Sequence, residues 1–412
     1  MEGTRAELTV GIDWGASAHQ VCVLDATDHV IAERRVAHTG TAVRELAAWL
    51  TTLRTDAMLA VAIETPRHGV IDALLEAGLA VFVIHPRQLE RFRERYTAAA
   101  AKDDHRDAWV LAHALRTDRT AYRPVPQDSP AVLRLRELSR LDAELGEELT
   151  RLSNRLRDHL QRYYPQVLEL SPAAHDAWIC ELLRVVPTPA QAARVRPATI
   201  ARVLARSRIT RVSAHDVLHV LRAPALPLAA GLTDAIAQRV AVLLPHLTLL
   251  HAQRRQIAQQ LTAALDALAA TPGQDREHHD VTILRSWPGI GIRIAATMLA
   301  EAHDALEARD YHAFRTRAGL APVTRASGKS RHVRMRYACH ARLRTACFHW
   351  ARTAMRADPH TRAAYDALRD RGHSHPRALR GVADRQVAVL MAMLRAGTRY
   401  DPTRRRPLPR AA

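Results

Sequence analysis

The chain has 412 residues, with 60 Lys and Arg against 42 Asp and Glu, a formal charge of +18. A composition that is 48% hydrophobic and 25% charged excludes wholesale disorder, and the lack of any run of about 18 apolar residues argues against a membrane span. An N-terminus with no apolar signal core, and four scattered cysteines (Cys22, Cys180, Cys339, Cys347), fit a cytoplasmic chain in a reducing compartment.

The charge is unevenly placed. Residues 315–412 hold 22 Arg, one Lys and five acids, the whole of the +18, while residues 1–314 balance. Only Lys102 and Lys329 among the 60 cations are lysine. A basic field confined to one end of a chain calls for a polyanion, and nucleic acid is the natural one.

In chain order, residues 8–13, 19–24 and 29–38 read as three short strands separated by turn-forming residues. A helix over 41–54 leads to a fourth strand, Met58–Glu64, whose unbroken apolar character predicts burial on both faces. A short helix ended by Gly78, a fifth strand over 79–84 stopped at His85-Pro86, and helices over 87–97 and 104–117 follow. An antiparallel meander followed by alternating helix and strand predicts a ribonuclease-H-like mixed sheet. Leu133, Leu138, Leu141, Leu145, Leu149, Leu152, Leu156 and Leu160 then mark one long amphipathic helix, either a coiled-coil arm or a member of a bundle. Residues 165–240 are Ala-, Pro- and Arg-rich helical pieces without readable chemistry, and 237–270 is a second long helix, set to pair antiparallel with the first. Residues 281–400 read as mostly helical, and the stretch from Gly397 onward as a disordered basic tail.

Four carboxylates stand at telling places. Asp13 ends the first strand within Gly-Ile-Asp-Trp-Gly, Glu64 ends the fourth, and Asp104 and Asp107 are spaced i, i+3 on one helix face. In a ribonuclease-H-like sheet those strand ends adjoin and the following helix crosses beside them. Converging carboxylates recruit hard divalent cations; Mg²⁺ suits them, with two ions, and Mn²⁺ as a substitute. Each acid taken singly also reads as a turn or helix-cap residue. Gly11–Ser17 further resembles the first phosphate loop of sugar-kinase and actin-type ATPases, but no second phosphate loop or adenosine loop follows, so no nucleotide cofactor is expected.

Toward the C-terminus, Pro288-Gly289-Ile290-Gly291 before a helix offers backbone N–H groups to a phosphate, or serves as a plain helix-entry turn. Ser327 and Ser330 lie in a loop-like stretch among Thr324, Arg325, Lys329, Arg331, Arg334 and Arg336. A hydroxyl among cations suits attack on a phosphorus, and equally a phosphate-contact loop. Lys102 beside Asp104 joins Gly289, Gly291 and these cations as expected nucleic-acid contacts. Cys339, His340, Cys347 and His349 lack zinc-knuckle spacing and read as helix residues with buried thiols.

Together, Gly-Ile-Asp (11–13), Glu64, His85-Pro86, Lys-x-Asp-x-x-Asp-Ala (102–108), Pro-Gly-Ile-Gly (288–291), Ala-Gly-Leu-Ala-Pro (318–322) and Ser-Gly-Lys-Ser-Arg (327–331) resemble the DEDD-type transposases of the insertion-sequence 110 family. The likeness covers roughly residues 8–165 and 282–355. It departs at Ala326, where the family often has Ser or Thr, and at Asp103, where Thr is usual. It implies an α/β plus all-α protein: a RuvC-like catalytic domain (1–125), long coiled-coil helices with a helical insert (126–280), a helical transposase domain (281–400) and a basic tail (401–412). It implies excision and site-specific insertion of an insertion element, with Asp13, Glu64, Asp104 and Asp107 as metal ligands and Ser327 as nucleophile, Ser330 being the alternative. The expected partners are DNA, an element-encoded bridge RNA, and further copies of the chain as a homodimer or homotetramer, with no membrane. A RuvC-like endonuclease that uses water as nucleophile is the rival enzyme, and a non-catalytic RNA-binding scaffold the rival without chemistry.

Overall fold

The computed structural model describes residues 6–54, 57–64, 69–96, 103–122, 124–171, 173–270, 277–328 and 330–404. They form two compact units, 1–127 and 128–412.

The first unit is built on a five-stranded sheet of order β3-β2-β1-β4-β5. Its strands are β1 (Ala6–Asp13), β2 (Ala18–Leu24), β3 (Val30–Ala37), β4 (Ala57–Ile63) and β5 (Ala80–Val83). The first three are an antiparallel meander, and β4 and β5 run parallel to β1. This is the mixed order expected of a ribonuclease-H-like sheet. Helices α1 (Gly40–Arg54) and α2 (Gly69–Glu76) precede β4 and β5, and α3 (Pro86–Glu94) and α4 (Asp104–Asp118) follow them.

The two faces of the sheet differ in side-chain size. On β1 and β4, Leu8, Val10, Ile12, Leu59, Val61 and Ile63 form one core together with Val43, Leu46 and Leu50 of α1 and Val70, Ile71 and Leu74 of α2. The alternate positions on the opposite face are small, Gly11, Ala60, Ala62 and Cys22 among them, and that face packs against Ala108, Val110, Leu111 and Ala112 of α4. Small residues let α4 lie close. A Cβ on Gly11 would sit 1.8 Å from the Ala108 carbonyl oxygen and 2.6 Å from the Ala112 nitrogen. Asp103 starts α4 by accepting a hydrogen bond from the His105 N–H (3.3 Å), so the acid that replaces the usual Thr works as a helix cap.

The second unit hangs on two long helices, α5 (Pro130–Tyr163) and, after the insert, a 39-residue helix over Leu232–Ala270. Ser129 caps α5 and Pro130 occupies its first turn. The insert contributes α6 (Val167–Leu170), α7 (Ala177–Val185), α8 (Pro189–Arg194), α9 (Pro197–Arg206) and α10 (Ala214–Leu221), so the long helix that follows is α11. Leu149, Leu152, Leu156 and Leu160 of α5 share one core with Leu243, Leu244, Leu247 and Leu250 of α11 and with the insert. Leu135 near the start of α5 shares a second core with Ile257, Leu261 and Leu265 near the end of α11. The pair is therefore antiparallel and embedded, not a free arm. By length and composition α11 would pass for a membrane span, but these leucines are taken up by the two cores.

The leucine stripe expected along α5 holds only in its second half. Leu133 and Leu141 are exposed, and Ser139 and Asp142 are buried in their stead. The Ser139 hydroxyl meets that of Thr297, and Asp142 is paired by Arg293 (2.7 Å) and Arg254 (3.5 Å). A polar seam from partners far along the chain overrides the local pattern.

The second core also takes in α12 (Glu277–Ser286), α13 (Ile292–Glu301), α14 (His303–Glu307), α15 (Tyr311–Arg317), α16 (Ala341–Ala357), α17 (Pro359–Asp370) and α18 (His375–Ala396). Between α15 and α16 lies a hairpin of β6 (Val323–Ser327) and β7 (Ser330–Arg334), where a loop was expected. The tail also departs from expectation. Gly397 closes α18 in the left-handed conformation, the Tyr400 ring packs on Trp287 at 4.6 Å, and the Tyr400 N–H donates to the Ser286 hydroxyl. The chain is thus anchored at Tyr400, residues 402–404 are exposed, and the rest of the expected tail lies outside the described residues.

Gly11→Val is expected to destabilise the sheet unit by about 3 kcal/mol, since backbone stands where the side chain must go. The check is the urea midpoint of the full chain, with Gly69→Ala, whose Cβ meets open space, shifting it little.

Candidate active site

Strand parity sets Asp13 and Glu64 on the side of the sheet that α4 covers, and Asp107 lies on that helix. Asp13 continues the parity of Thr9 and Gly11, the positions of β1 that face α4. Glu64 follows Ile63, the register partner of Ile12, and continues the parity of Ala60 and Ala62. The Gly11–Ala108 contact sets Asp107, one residue before Ala108, over the same end of β1. Asp104 starts α4 and is exposed, whereas Asp13 is 9% exposed and Asp107 fully buried.

A buried carboxylate demands a counter-charge, and α3 supplies it. Arg93 pairs with Asp107: its Nη2 donates to Oδ2 at 2.8 Å and its Nε lies 2.5 Å from Oδ1. Tyr96, three residues on, donates or accepts at His113 Nε2 (2.5 Å), and His113 Nδ1 meets Asp28 (2.8 Å). Neither partner of α4 was evident in the sequence, where Arg93 is one of several arginines in a charged helix. On the strand side, Gln20 is paired in register with Asp13 and meets His105 Nδ1 at 3.0 Å. Trp14, His19 and His38 form an aromatic cluster behind the turn that follows Asp13. A Cβ on Gly15 would lie 2.3 Å from the Ala18 carbonyl oxygen, so this glycine is a requirement of the turn. Burial, then Glu33, pushes the Cys22 thiol up to about 12, which keeps it inert beneath α4.

The donor set is all-carboxylate, which fits a hard divalent cation in chemistry. Among the described residues no three His, Cys, Asp or Glu side chains stand together as a metal-holding group, and Asp107 is paired with Arg93. Lys102, expected beside these acids, lies outside the described residues.

The candidate nucleophile is in the other unit, on the hairpin. Ser327 pairs with Ser330 at its tip, and Gly328 between them has φ +53°. Cross-strand partners share a face, so Ser327, Ser330, Arg325, His332 and Arg334 lie on one side, and Arg331 with Thr324, Ala326 and Val333 on the other. All of these are exposed. His332, opposite Arg325 on the serine face, was missed in the sequence because only the register reveals it. Lys329 lies outside the described residues.

The hairpin base is firmly tied. Gly319 (φ +68°) packs against Cys339, Arg336 Nε donates to the Ala321 carbonyl (3.2 Å), and the His340 N–H donates to the Arg317 carbonyl (2.7 Å). Arg317 is clamped on Asp304 and Arg315 on Asp384. Beneath them Glu301 is gripped by Arg140 and faced by His340 at 3.4 Å. Burial alone would raise its carboxyl, yet Arg140, His340 and Arg136 hold it below the usual carboxylate range. Arg336, expected on nucleic acid, is therefore committed at least in part to the hairpin base. Gly289 (φ +91°) packs against α16, where a Cβ would be 2.7 Å from the Ala354 nitrogen, and its carbonyl accepts from Thr353. Gly291 caps α13 with open space around it, the more accessible of the two.

Comparison with known proteins agrees with both ends of this description. Residues 10–165 match the model of a DEDD-type IS110 transposase family, and residues 281–366 match that of the Transposase IS116/IS110/IS902 family. The chain is 42% identical to the transposase y4uE of Sinorhizobium fredii over 234 residues, 56% of this chain and 64% of that one. It is 32% identical to the Mini-circle transposase for IS117 of Streptomyces coelicolor over 96% of this chain and 95% of that one. It is also 31% identical to the 43.6 kDa protein of insertion element IS110 from the same organism, over 79% and 78%. With two family models at its two ends and a relative matched over almost its whole length, the chain belongs to the IS110 family of transposases, enzymes that cleave and rejoin DNA.

Proposed function

We propose that this transposase excises and inserts its element through a composite site, with carboxylates from the sheet unit and a serine from the hairpin. The observation that carries the reading is the hairpin register, which gives one exposed face a hydroxyl, two guanidinium groups and an imidazole. Arg325 and Arg334 draw in the phosphodiester and offset its charge. The Ser327 oxygen bonds to phosphorus as its proton passes to His332, and the bond to the leaving DNA oxygen breaks. The phosphoserine keeps the energy of the broken bond, so a second DNA hydroxyl can attack it, restore the diester and release Ser327. Ser330, across the tip, is the alternative attacking group.

Asp13, Glu64, Asp104 and Asp107 are proposed to hold divalent metal, Mg²⁺ by preference, with two ions and with Mn²⁺ as a substitute. Bound there, it would stabilise charge on the attacking and leaving oxygens. Asp107 would exchange Arg93 for the cation as the set closes. A bridge RNA and the assembly of two or four copies are part of the same proposal; the basic C-terminal region is what favours the RNA.

Two measurements test the reading. Ser327→Ala is expected to abolish covalent protein–DNA adducts on denaturing gels while leaving DNA binding in place; adducts that persist undiminished in it, and vanish in Ser330→Ala, would move the nucleophile to Ser330, and free cut ends without any adduct would favour water. Arg93→Met removes a guanidinium from the buried Asp107, a loss of about 3 kcal/mol, so in chelator it should melt below the native chain. Mg²⁺ is expected to restore several degrees in this variant and less in the native chain; a gap unmoved by Mg²⁺ would remove Asp107 from the metal set.

A further inference from the structure

The insert carries a basic surface that the charge count conceals. From Leu182 to Ala214 the chain holds seven arginines and no acid. Six of them, Arg194, Arg196, Arg202, Arg206, Arg208 and Arg211, are exposed. Elsewhere in the same unit arginines are spent on carboxylates: Arg136 on Asp128, Arg140 on Glu301, Arg293 on Asp142, Arg309 on Asp280, Arg315 on Asp384. Among the described residues none of the six is in an ion pair. Arg202 and Arg206 are spaced i, i+4 on α9, away from the Ile200, Val203 and Leu204 face that is buried. Neighbours at that spacing are about 6 Å apart, comparable to the step between phosphates along a strand.

Arg208 is the sharpest sign. It follows α9 in the left-handed conformation (φ +52°), with its N–H donating to the Ala205 carbonyl and the next N–H donating to that of Leu204. This is the helix-ending motif in which glycine is the ordinary choice. Arg309 occupies the equivalent place after α14 (φ +55°), and there the buried Asp280 explains the arginine. The side chain of Arg208 has no hydrogen-bond or ion-pair partner among the described residues. The fold bears the strain of a non-glycine residue for a guanidinium it does not use.

We infer that the exposed arginines of α8, α9 and the turn after α9 form a docking surface for the phosphate backbone of duplex DNA. DNA is the occupant because the reaction already requires it, and because the surface stands at a distance from the hairpin that a duplex can span. The insert packs on the Leu149–Leu160 half of α5, and the hairpin belongs to the body packed on the other end of that 34-residue helix. At 1.5 Å per residue α5 is about 50 Å long, so a site of roughly 15 base pairs would reach from one basic surface to the other at 3.4 Å per step. Contacts here would be sequence-independent, serving to set the angle of the duplex.

The test uses the full chain and a labelled duplex of arbitrary sequence, about 40 base pairs long, titrated between about 50 and 200 mM salt. The triple variant R202Q/R206Q/R208Q should lower the slope of log affinity against log salt by about 2 to 3, near 0.9 per lost phosphate contact, and weaken binding tenfold or more at the upper end. The matching Arg→Lys triple should keep the slope within about 0.5, as charge is retained. R208G separates function from fold. It should raise the melting temperature by about 2 °C by relieving the left-handed arginine, while weakening DNA binding severalfold. An unchanged slope in the glutamine triple, or an R208G chain that binds DNA as tightly as the native one, would overturn the proposal. A triple that binds the duplex normally but loses a stem-loop RNA would overturn the assignment to DNA. None of these readouts depends on Ser327 or on metal.

Discussion

The close seating of α4 on β1 is the contact on which the acid-bearing end of the sheet unit rests. It requires a strand face without side-chain bulk, and Gly11, Ala60, Ala62 and Cys22 provide it. With α4 held at backbone distance, its first turn cannot wander, and Asp107 is carried to the end of β1. The same seating buries Asp107 and so obliges the fold to find it a cation. Arg93 meets that need here, which ties α3 to α4 and links the geometry of a helix pair to the occupancy of a single carboxylate.

Arginine plays two distinct roles in the helical unit. Where the chain places carboxylates between helices, guanidinium groups hold them: bidentate at Asp280, Glu301 and Asp384, and one from each of two arginines at Asp142. On the hairpin at Arg325 and Arg334, and in the insert at Arg194, Arg206 and Arg208, the same side chain is left in solvent. The distinction lies in the partner, so a count of charges along the chain cannot reveal it. The balance of residues 1–314 averages acid-bearing helices with the acid-free stretch from Leu182 to Ala214.

The sheet was legible in the sequence because its signal is local: alternation marks the strands, and Asp13 and Glu64 stand where two of them stop. The long helices were legible for the same reason. What escaped notice depends on distant partners. Leu133 and Leu141 look like core and are exposed, because Arg254 and Arg293 draw Asp142 inward. The hairpin of Val323–Arg334 has hardly any apolar alternation; Gly328 and the anchors at Gly319, Arg336 and His340 shape it instead. Ser327 was singled out as a candidate by motif, but its neighbours on the hairpin face, His332 above all, follow from register. The C-terminal stretch reads as tail until Tyr400 meets Trp287, more than a hundred residues back.

The antiparallel α5–α11 pair has a consequence for how such chains can change in length. Everything between Leu160 and Ile236 leaves and re-enters at neighbouring points of two helices. Trimming both by the same number of turns would draw the insert inward without disturbing the Leu135–Leu261 end. One residue added to a single helix would instead rotate everything beyond it by about 100° and tear Asp142 from Arg254. The pair thus works as a telescoping mount: variation in paired steps is tolerated, variation in odd ones is not, and the reach between its two ends is an adjustable quantity of the architecture.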